Sequence, residues 1–414
     1  MSATTRPDNL PSLAAETPSS TTPPPSRSRR RTPLAWRNVT EKKLRLLAST
    51  LGVAFAVVLI FMQNGFKNAF VDGMLQIIEV LDGELFITSR SRYIVTVRQT
   101  FPRRRLAEAR RIRGVADTSP LYVEDQLGRW KSTEDRVSRK IRVVAFDPDD
   151  SIIGIPEVEA QQHKLVGYDT ALADRRSKRN FYGDFSSQPE SLLNRKPFRI
   201  VGTYRLGTDY QNNGTLMLSE TSFLDLFPHR DQGGFGDTAV DIGVIKLDPG
   251  ADVPVVLEAM RNRLPRDVVV LTKNELLAKE SAFWNEVTPV GVVFNIGIVM
   301  GFVVGVMICY QILYSDISDR LPEFATLKAM GYSKTELFRV ILSQAIYLSF
   351  FGFAAGALVS WSLYQLVDYW TGLPMRFLPL SALTVLVATI LMCAFSAFIA
   401  ARRLTSADPA ELFR

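Results

Sequence analysis

Four apolar stretches fix what this chain can become. Leu46–Met62, Val290–Leu313, Val340–Val367 and Leu378–Ala401 are each long and apolar enough to cross a bilayer. A spanning helix needs about 20 mostly apolar residues, with a lower limit near 17. Their spacing is lopsided. Residues 63–288 lie between the first and second stretches, whereas short segments join the other three. The pattern predicts an α-helical membrane domain of four transmembrane helices, with a large polar domain inserted between the first and second on one side of the membrane.

Orientation follows from the basic residues. Arg27, Arg29, Arg30, Arg31, Arg37, Lys42, Lys43 and Arg45 precede the first span. Arg320, Lys328, Lys334 and Arg339 lie between the second and third, and Arg402, Arg403 and Arg414 follow the fourth. The short connection between the third and fourth spans carries only Arg376. By the positive-inside rule the three basic segments face the cytoplasm, both termini are cytoplasmic, and 63–288 is exported. The chain is thus expected to be a multi-pass protein of the inner (plasma) membrane with a periplasmic α+β domain. That domain is itself Arg-rich, but long domains translocate largely regardless of charge. Its basicity fits either a solvated surface or acidic partners such as anionic lipid heads.

The predicted organisation is a disordered cytoplasmic tail at 1–33, an amphipathic interfacial helix at 34–45 and a first span at 46–62. The periplasmic domain at 63–288 leads to a second span at 290–313. A cytoplasmic loop at 314–339 joins this to a third span at 340–367. A short periplasmic loop at 368–377, a fourth span at 378–401 and a cytoplasmic end at 402–414 complete the chain. The tail is rich in Ser, Thr, Pro and Arg, a composition that cannot bury enough apolar surface to order itself. It has no secretory-signal pattern, and Asp8, Glu16 and the dense prolines argue against a transit peptide. Trp36 is placed to anchor the interfacial helix at headgroup level. Cys309 and Cys393 both fall inside spans, so the inserted domain is expected to fold on its core without a disulfide.

Within 63–288 the pattern predicts a helical continuation of the first span over Gln63–Leu81. Strands are expected at Glu84–Thr88, Tyr93–Arg98, Arg139–Phe146, Phe198–Leu206 and Thr215–Leu218. Arg103–Arg113 reads as a charged helix ended by Gly114, 150–197 as polar and irregular, and Glu220–Phe227 as a short helix. The clearest unit is β-α-β: a strand over Asp241–Leu247, a turn at Pro249-Gly250, a helix over Val253–Leu264 and a strand over Val268–Leu271. Lys273–Glu286 is expected to be a helix running directly into the second span, a rigid rod between domain and membrane.

Two motifs stand out in the membrane region. Gly297, Gly301 and Gly305 recur at four-residue intervals in the second span, as do Gly352 and Gly356 in the third. This spacing puts each set on one helix face, where small residues let helices approach closely in lipid. The loop DISDRLPEFATLKAMGYSKTELFRV (316–340) is unusually helical for a connection. Pro322 sits at a first helical position, and Phe324, Leu327 and Met330 fall at helical spacing. Gly331 is placed to end the helix, and Ser333 to cap the next with Glu336. A short amphipathic helix held crosswise at the membrane surface is suited to receive a push from a cytoplasmic partner.

The segment EFATLKAMG (323–331) resembles the coupling helix of ABC-transporter permeases of the FtsX/MacB kind, and SADPAELFR (406–414) resembles the closing segment of that superfamily. The order of one span, large exported domain and three spans is also theirs. PLAWRNVTEKKLRLLAS (33–49), FMQNGFKNAFVD (61–72), SPLYVE (119–124), IGVIKLDPGAD (242–252) and VGVMICYQILYSDISDRLPEFATLKAMGY (304–332) are similar to the DevC family, the permeases of DevBCA-type exporters. This resemblance covers nearly all of Pro33–Arg414. It implies a MacB-like fold and a homodimeric permease subunit of a tripartite exporter. The expected partners are a DevA-like ABC ATPase that binds the ATP, a DevB-like membrane-fusion adaptor and a TolC-like outer-membrane channel. Glu323, Phe324, Leu327, Lys328, Met330, Gly331 and Tyr332 would form the ATPase-coupling surface. The best-known relatives export glycolipid, and paralogous systems are expected to differ.

The residues exclude several other readings. No phosphate-binding G-x-x-x-x-G-K-[ST] loop is present, so no cofactor is expected in this chain and the motor must be a separate subunit. His163 and His229 are the only histidines, and neither has a metal-ligand pattern around it. The DPDD run at Asp147–Asp150 lacks the rest of a calcium loop. No catalytic constellation is evident, so the chain is expected to be non-catalytic, and nucleic acid is not an expected partner. The alternatives are an FtsX-like activator of a cell-wall hydrolase, whose exported domain is usually smaller, and a lipoprotein-releasing permease. A membrane sensor with a periplasmic ligand domain is more distant, because no loop here is long enough for a cytoplasmic output domain.

Overall fold

The computed structural model describes residues 43–131, 137–185, 190–230, 238–323, 326, 330–331, 333–373 and 375–406. The expected tail at 1–33, the interfacial helix as far as residue 42 and the chain end from 407 lie outside the described residues, as do Phe324, Leu327, Lys328 and Tyr332.

The chain opens with α1 (Lys43–Glu79), passes through a sheet domain, and returns as three long helices. The sheet domain contains, in chain order, β1 (Leu85–Ser89), β2 (Phe101–Pro102), α2 (Arg104–Arg110), β3 (Val115–Glu124), β4 (Arg129–Lys131), β5 (Ser138–Lys140), β6 (Arg142–Phe146), α3 (Pro156–Glu159), β7 (Thr170–Asp174), α4 (Arg179–Tyr182), β8 (Glu190–Leu193), β9 (Lys196–Tyr204), β10 (Thr215–Ser219), α5 (Glu220–Leu226), β11 (Ala239–Val240), β12 (Ile242–Leu247), α6 (Val253–Arg263), β13 (Val268–Thr272) and α7 (Lys273–Ala282). The three returning helices are α8 (Pro289–Asp319), α9 (Lys334–Thr371) and α10 (Pro379–Ser406). The helices α1, α8, α9 and α10 are each long and apolar enough to cross a membrane. The fold is therefore a four-helix membrane domain carrying an α+β domain between its first and second spans.

Eleven strands form the main sheet, in the order β13-β1-β12-β3-β6-β10-β7-β9-β8-β4-β5, and β2 pairs with β11 apart from it. Most pairings are antiparallel; β6 with β10 and β7 with β9 are parallel. Side chains alternate between two cores. Leu85 and Ile87 of β1, Val143 and Ala145 of β6, and Leu216 and Leu218 of β10 face one core. Phe86, Val144, Phe146 and Met217 face the other. Because both faces are covered, these strands read as unbroken apolar runs rather than as alternation. The first core is closed by Leu106 of α2, Phe223 of α5, and Val256 and Met260 of α6. The second is closed by the C-terminal half of α1, through Phe70, Met74, Leu75, Ile77 and Ile78, and by Leu276 of α7.

Several sequence expectations need correction. Tyr93–Arg98 is a loop, not a strand. The buried Arg92 guanidinium gathers the carbonyls of Ile94, Val95, Gln99 and Asp241, which holds the chain curled. Ile94 and Val95 are apolar because they pack under the sheet. The expected strand Arg139–Phe146 is two strands separated at Ile141, whose N–H donates sideways to the Gly128 carbonyl at 3.1 Å. The stretch 150–197 is not all irregular, since it holds the fully buried β7 and the hairpin strand β8. The charged helix is shorter than expected, Arg104–Arg110, and Gly114 beyond it lies at φ +93°. The β-α-β unit is split: β1 lies between β12 and β13 and pairs antiparallel with both.

The continuous rod from Lys273 into the second span is also not what forms. The α-helix ends at Ala282, a π-turn covers Phe283–Val287, and Thr288 is extended at ψ 146° before α8 begins at Pro289. Proline disfavours helical backbone in the residue before it and has no N–H to continue the ladder. The rigid element joining membrane and domain is α1.

Candidate functional site

The candidate site is a chain of contacts through the four long helices, and it begins at the connection between α8 and α9. Arg320 closes α8 with its buried guanidinium 3.6 Å from Asp316 and 3.8 Å from Glu323. Pro322, Glu323 and Thr326 are helical; the Thr326 hydroxyl donates to the Pro322 carbonyl at 2.9 Å, and the Met330 N–H to the Thr326 carbonyl at 3.0 Å. Gly331 sits at φ +93°, in the left-handed region where a side chain is strained. Ser333 and Glu336 form a reciprocal capping box that starts α9. Glu323, Met330 and Gly331 are all exposed.

The two glycine sets both face α1. A Cβ on Gly297 would meet the Gln63 side chain at 2.6 Å, one on Gly301 would meet Ile60 at 3.3 Å, and one on Gly305 would meet Ala56 at 3.0 Å and Met392. From the other helix, Gly352 lies against Val53, and Gly356 against Val57 and the Ala54 carbonyl, the last at 3.0 Å. Residues 53–63 of α1 are thus held between α8 and α9 with no room for a methyl group at most of these points. Cys309 of α8 and Cys393 of α10 are both buried, with sulfurs 3.6 Å apart. Helical spacing alone did not bring these two together.

Just beyond the glycines, α1 is tied to all three other spans. The Tyr364 hydroxyl of α9 donates to the Phe61 carbonyl. Lys67 donates to Asn295 of α8 at 3.0 Å, and Asn68 to Ser381 of α10 at 3.2 Å. The helix then runs on unbroken under the sheet, where Phe70 meets Trp284 edge-to-face at 5.5 Å. At 1.5 Å per residue its 37 residues extend about 55 Å. A second link joins the end of α9 to the domain: Asp368 pairs with Arg176 at 2.8 Å, and Thr208 donates to the Thr371 carbonyl at 3.5 Å.

A buried carboxylate sits where α7 turns back toward the membrane. Glu280 accepts from the Val95 N–H at 3.0 Å and from the Trp284 indole N–H at 3.1 Å. Burial pushes its pKa up to about 7. The same burial lowers neighbouring Lys279, whose ammonium donates to the Arg92 carbonyl at 2.7 Å. Nothing in the sequence marked Glu280, since it reads as one more charge on a polar helix. Among the described residues no group of three or more His, Cys, Asp and Glu side chains is arranged to hold a metal.

Residues 295–409 match the family described as FtsX-like permease C-terminal. The match covers most of α8, the connection to α9, α9 and α10. No curated protein matches the chain. Among solved structures, the periplasmic region of MacB from Actinobacillus actinomycetemcomitans is similar at 12% identity, covering 49% of this chain and 94% of that one, with a TM-score of 0.32. The extracellular domain of the noncanonic ABC-type transporter YknZ from Gram-positive bacteria is similar at 9% identity, covering 46% and 99%, with a TM-score of 0.29. At these scores the two likenesses supply no residue correspondences.

Proposed function

We propose that this chain is the non-catalytic permease subunit of a tripartite ABC exporter, and that it converts ATP-driven motion of a separate ATPase into motion of its inserted domain. The observation that carries this reading is the single helix α1, clasped by both glycine faces in the membrane and packed under the sheet for the rest of its length. A displacement of α8 or α9 cannot leave α1 behind, because close-packed contacts transmit shifts rather than absorb them. The permease match over 295–409 supports the membrane half of the reading.

On this reading the connection from Glu323 to Gly331 faces the cytoplasm with both termini and docks the ATPase, while the inserted domain lies in the periplasm. There it meets a membrane-fusion adaptor leading to a TolC-like channel. Two copies of the chain pair with two ATPase subunits, as DevC-type permeases are expected to do. Glycolipid is the first substrate to test.

The test is a pull-down of the full chain from membranes, followed by ATPase assay of the co-purifying subunit. Gly331→Asp is expected to abolish ATPase recovery while membrane insertion and the melting temperature of the inserted domain are unchanged. Recovery of a fully stimulated ATPase with that variant would overturn the placement of the contact. Hydrolysis by the purified chain alone would overturn the reading.

A further inference from the structure

A cleft of about 460 Å³ opens at the Ser89 end of β1, the end away from the entry of α1. Three separate pieces of chain build its walls: the end of β1, the β2 segment running into the start of α2, and the turn before β13. Arg90, Arg104, Arg105 and Arg266 line it together with one acidic residue, Asp267. That carboxylate is already engaged, because one Asp267 oxygen accepts from Arg105 Nε at 3.1 Å and Nη2 at 2.9 Å. Glu108 fixes the other arm of the same guanidinium at 2.8 Å. Arg105 is thereby locked in place with little exposure. Arg90 and Arg266 are exposed and have no carboxylate at ion-pair distance among the described residues.

Arg90 and Arg266 bring two positive charges to the same cleft with no carboxylate at ion-pair distance among the described residues, and a bound anion offsets that charge. The planar guanidinium fork fits tetrahedral oxyanions through paired N–H donors, and the Thr100 hydroxyl on the same wall is a further donor. The volume lies within the range of small-molecule sites, roughly 300–1,000 Å³, and so suits an organic phosphate rather than a lone ion.

We propose that this cleft binds a phosphate monoester, with Arg90 and Arg266 as the principal contacts and Arg105 as the fixed wall that sets its orientation. The inference does not rest on the exporter reading, since the cleft is built entirely within the inserted domain. Phosphate chemistry reaches such a site either on a lipid headgroup or in solution, and the two sources are separable.

The experiment is titration calorimetry on the full chain in phosphatidylcholine nanodiscs at about 0.15 M salt. The probes are dihexanoyl phosphatidic acid, inorganic phosphate and, as the zwitterionic control, dihexanoyl phosphatidylcholine. Saturable binding of phosphatidic acid but not phosphatidylcholine is expected. Equal binding of inorganic phosphate supports the site with free phosphate as its source, and weaker binding supports it with the lipid headgroup as its source. The double variant Arg90→Gln/Arg266→Gln should weaken binding by about tenfold or more for each guanidinium removed, with its melting temperature unchanged. Arg199→Gln, which removes one exposed charge far along the sheet on β9, should change nothing. Absence of saturable binding by either anionic probe, or equal weakening by Arg199→Gln, would overturn the proposal.

Discussion

Tyr364 on α9 gives its hydroxyl proton to the main-chain carbonyl of Phe61 on α1, while its ring occupies the space that a Cβ on Gly65 would need. One side chain therefore reads both the polarity and the shape of α1 at the level where that helix leaves the bundle. Gly65→Ala should destabilise the protein by roughly 1–3 kcal/mol through overpacking. Tyr364→Ala should cost more, about 3–5 kcal/mol, through the cavity it leaves. Their combination should cost clearly less than the sum, because the alanine methyl enters the vacated space. Thermal unfolding of the full chain in detergent checks this, and strict additivity would mean that the two residues do not meet.

The glycine faces differ in what they press against, and that sets an order. A Cβ at Gly301 comes no closer than 3.3 Å, to Ile60 Cγ1, whereas at Gly356 it meets Val57 at 2.6 Å and the Ala54 carbonyl at 3.0 Å. A shift of a few tenths of an ångström is cheaper than moving a helical carbonyl aside. Gly301→Ala should therefore be nearly neutral, and Gly356→Ala should cost about 1–3 kcal/mol. Melting temperatures of the two variants, measured side by side, give the ranking, and a reversed order would count against the packing of α9 on α1.

The sequence announces much of this membrane half. Four-residue glycine spacing marks a close contact and Ser333 with Glu336 marks a helix start, because both signals are local. What the spacing does not reveal is the partner: both glycine faces meet α1, a choice made by tertiary packing over more than two hundred residues. The inserted domain was harder to read for a similar reason. Tyr93–Arg98 has the composition of a strand, but the buried Arg92 binds its carbonyls and takes it out of the sheet. β7 is short and flanked by polar residues, yet it lies at the middle of the sheet. The Thr288-Pro289 break was legible from proline stereochemistry, and helical periodicity on both sides of it concealed the interruption.

The buried Glu280 predicts a pH dependence of known sign. Its folded-state pKa is raised to about 7 from the ordinary glutamate value of 4.5. Between those two values the folded state binds more protons than the unfolded one, so stability falls as pH rises. Burial raises Asp125 to about 6, which acts in the same direction. Arg92 and Lys279 face Glu280 and favour its charged form, but less strongly than burial opposes it. The melting temperature of the inserted domain should accordingly drop between pH 5 and pH 8. Glu280→Gln keeps an acceptor for Val95 or Trp284 without the charge, and should flatten that drop and raise the melting temperature at pH 8 by a few degrees. An unchanged slope would show that Glu280 is not the group responsible.

Gly331 and Ser333 separate stability from coupling. At φ +93° a side chain on Gly331 is strained, but its Cβ would meet nothing within 4 Å. Gly331→Ala should thus cost only about 1 kcal/mol, all of it backbone strain. Ser333→Ala removes one half of the capping box and should cost a similar amount, about 0.5–2 kcal/mol, by loosening the first turn of α9. The two variants then match in stability and differ in what they alter: one changes an exposed residue of the connection between α8 and α9, the other the start of α9. If the coupling segment docks an ATPase, Gly331→Ala should weaken recovery of that subunit in a pull-down. Ser333→Ala should retain recovery while lowering the hydrolysis stimulated by the bound chain. Equal loss of recovery in both variants would place the docking surface on the start of α9 instead, because only there do the two substitutions act on the same element.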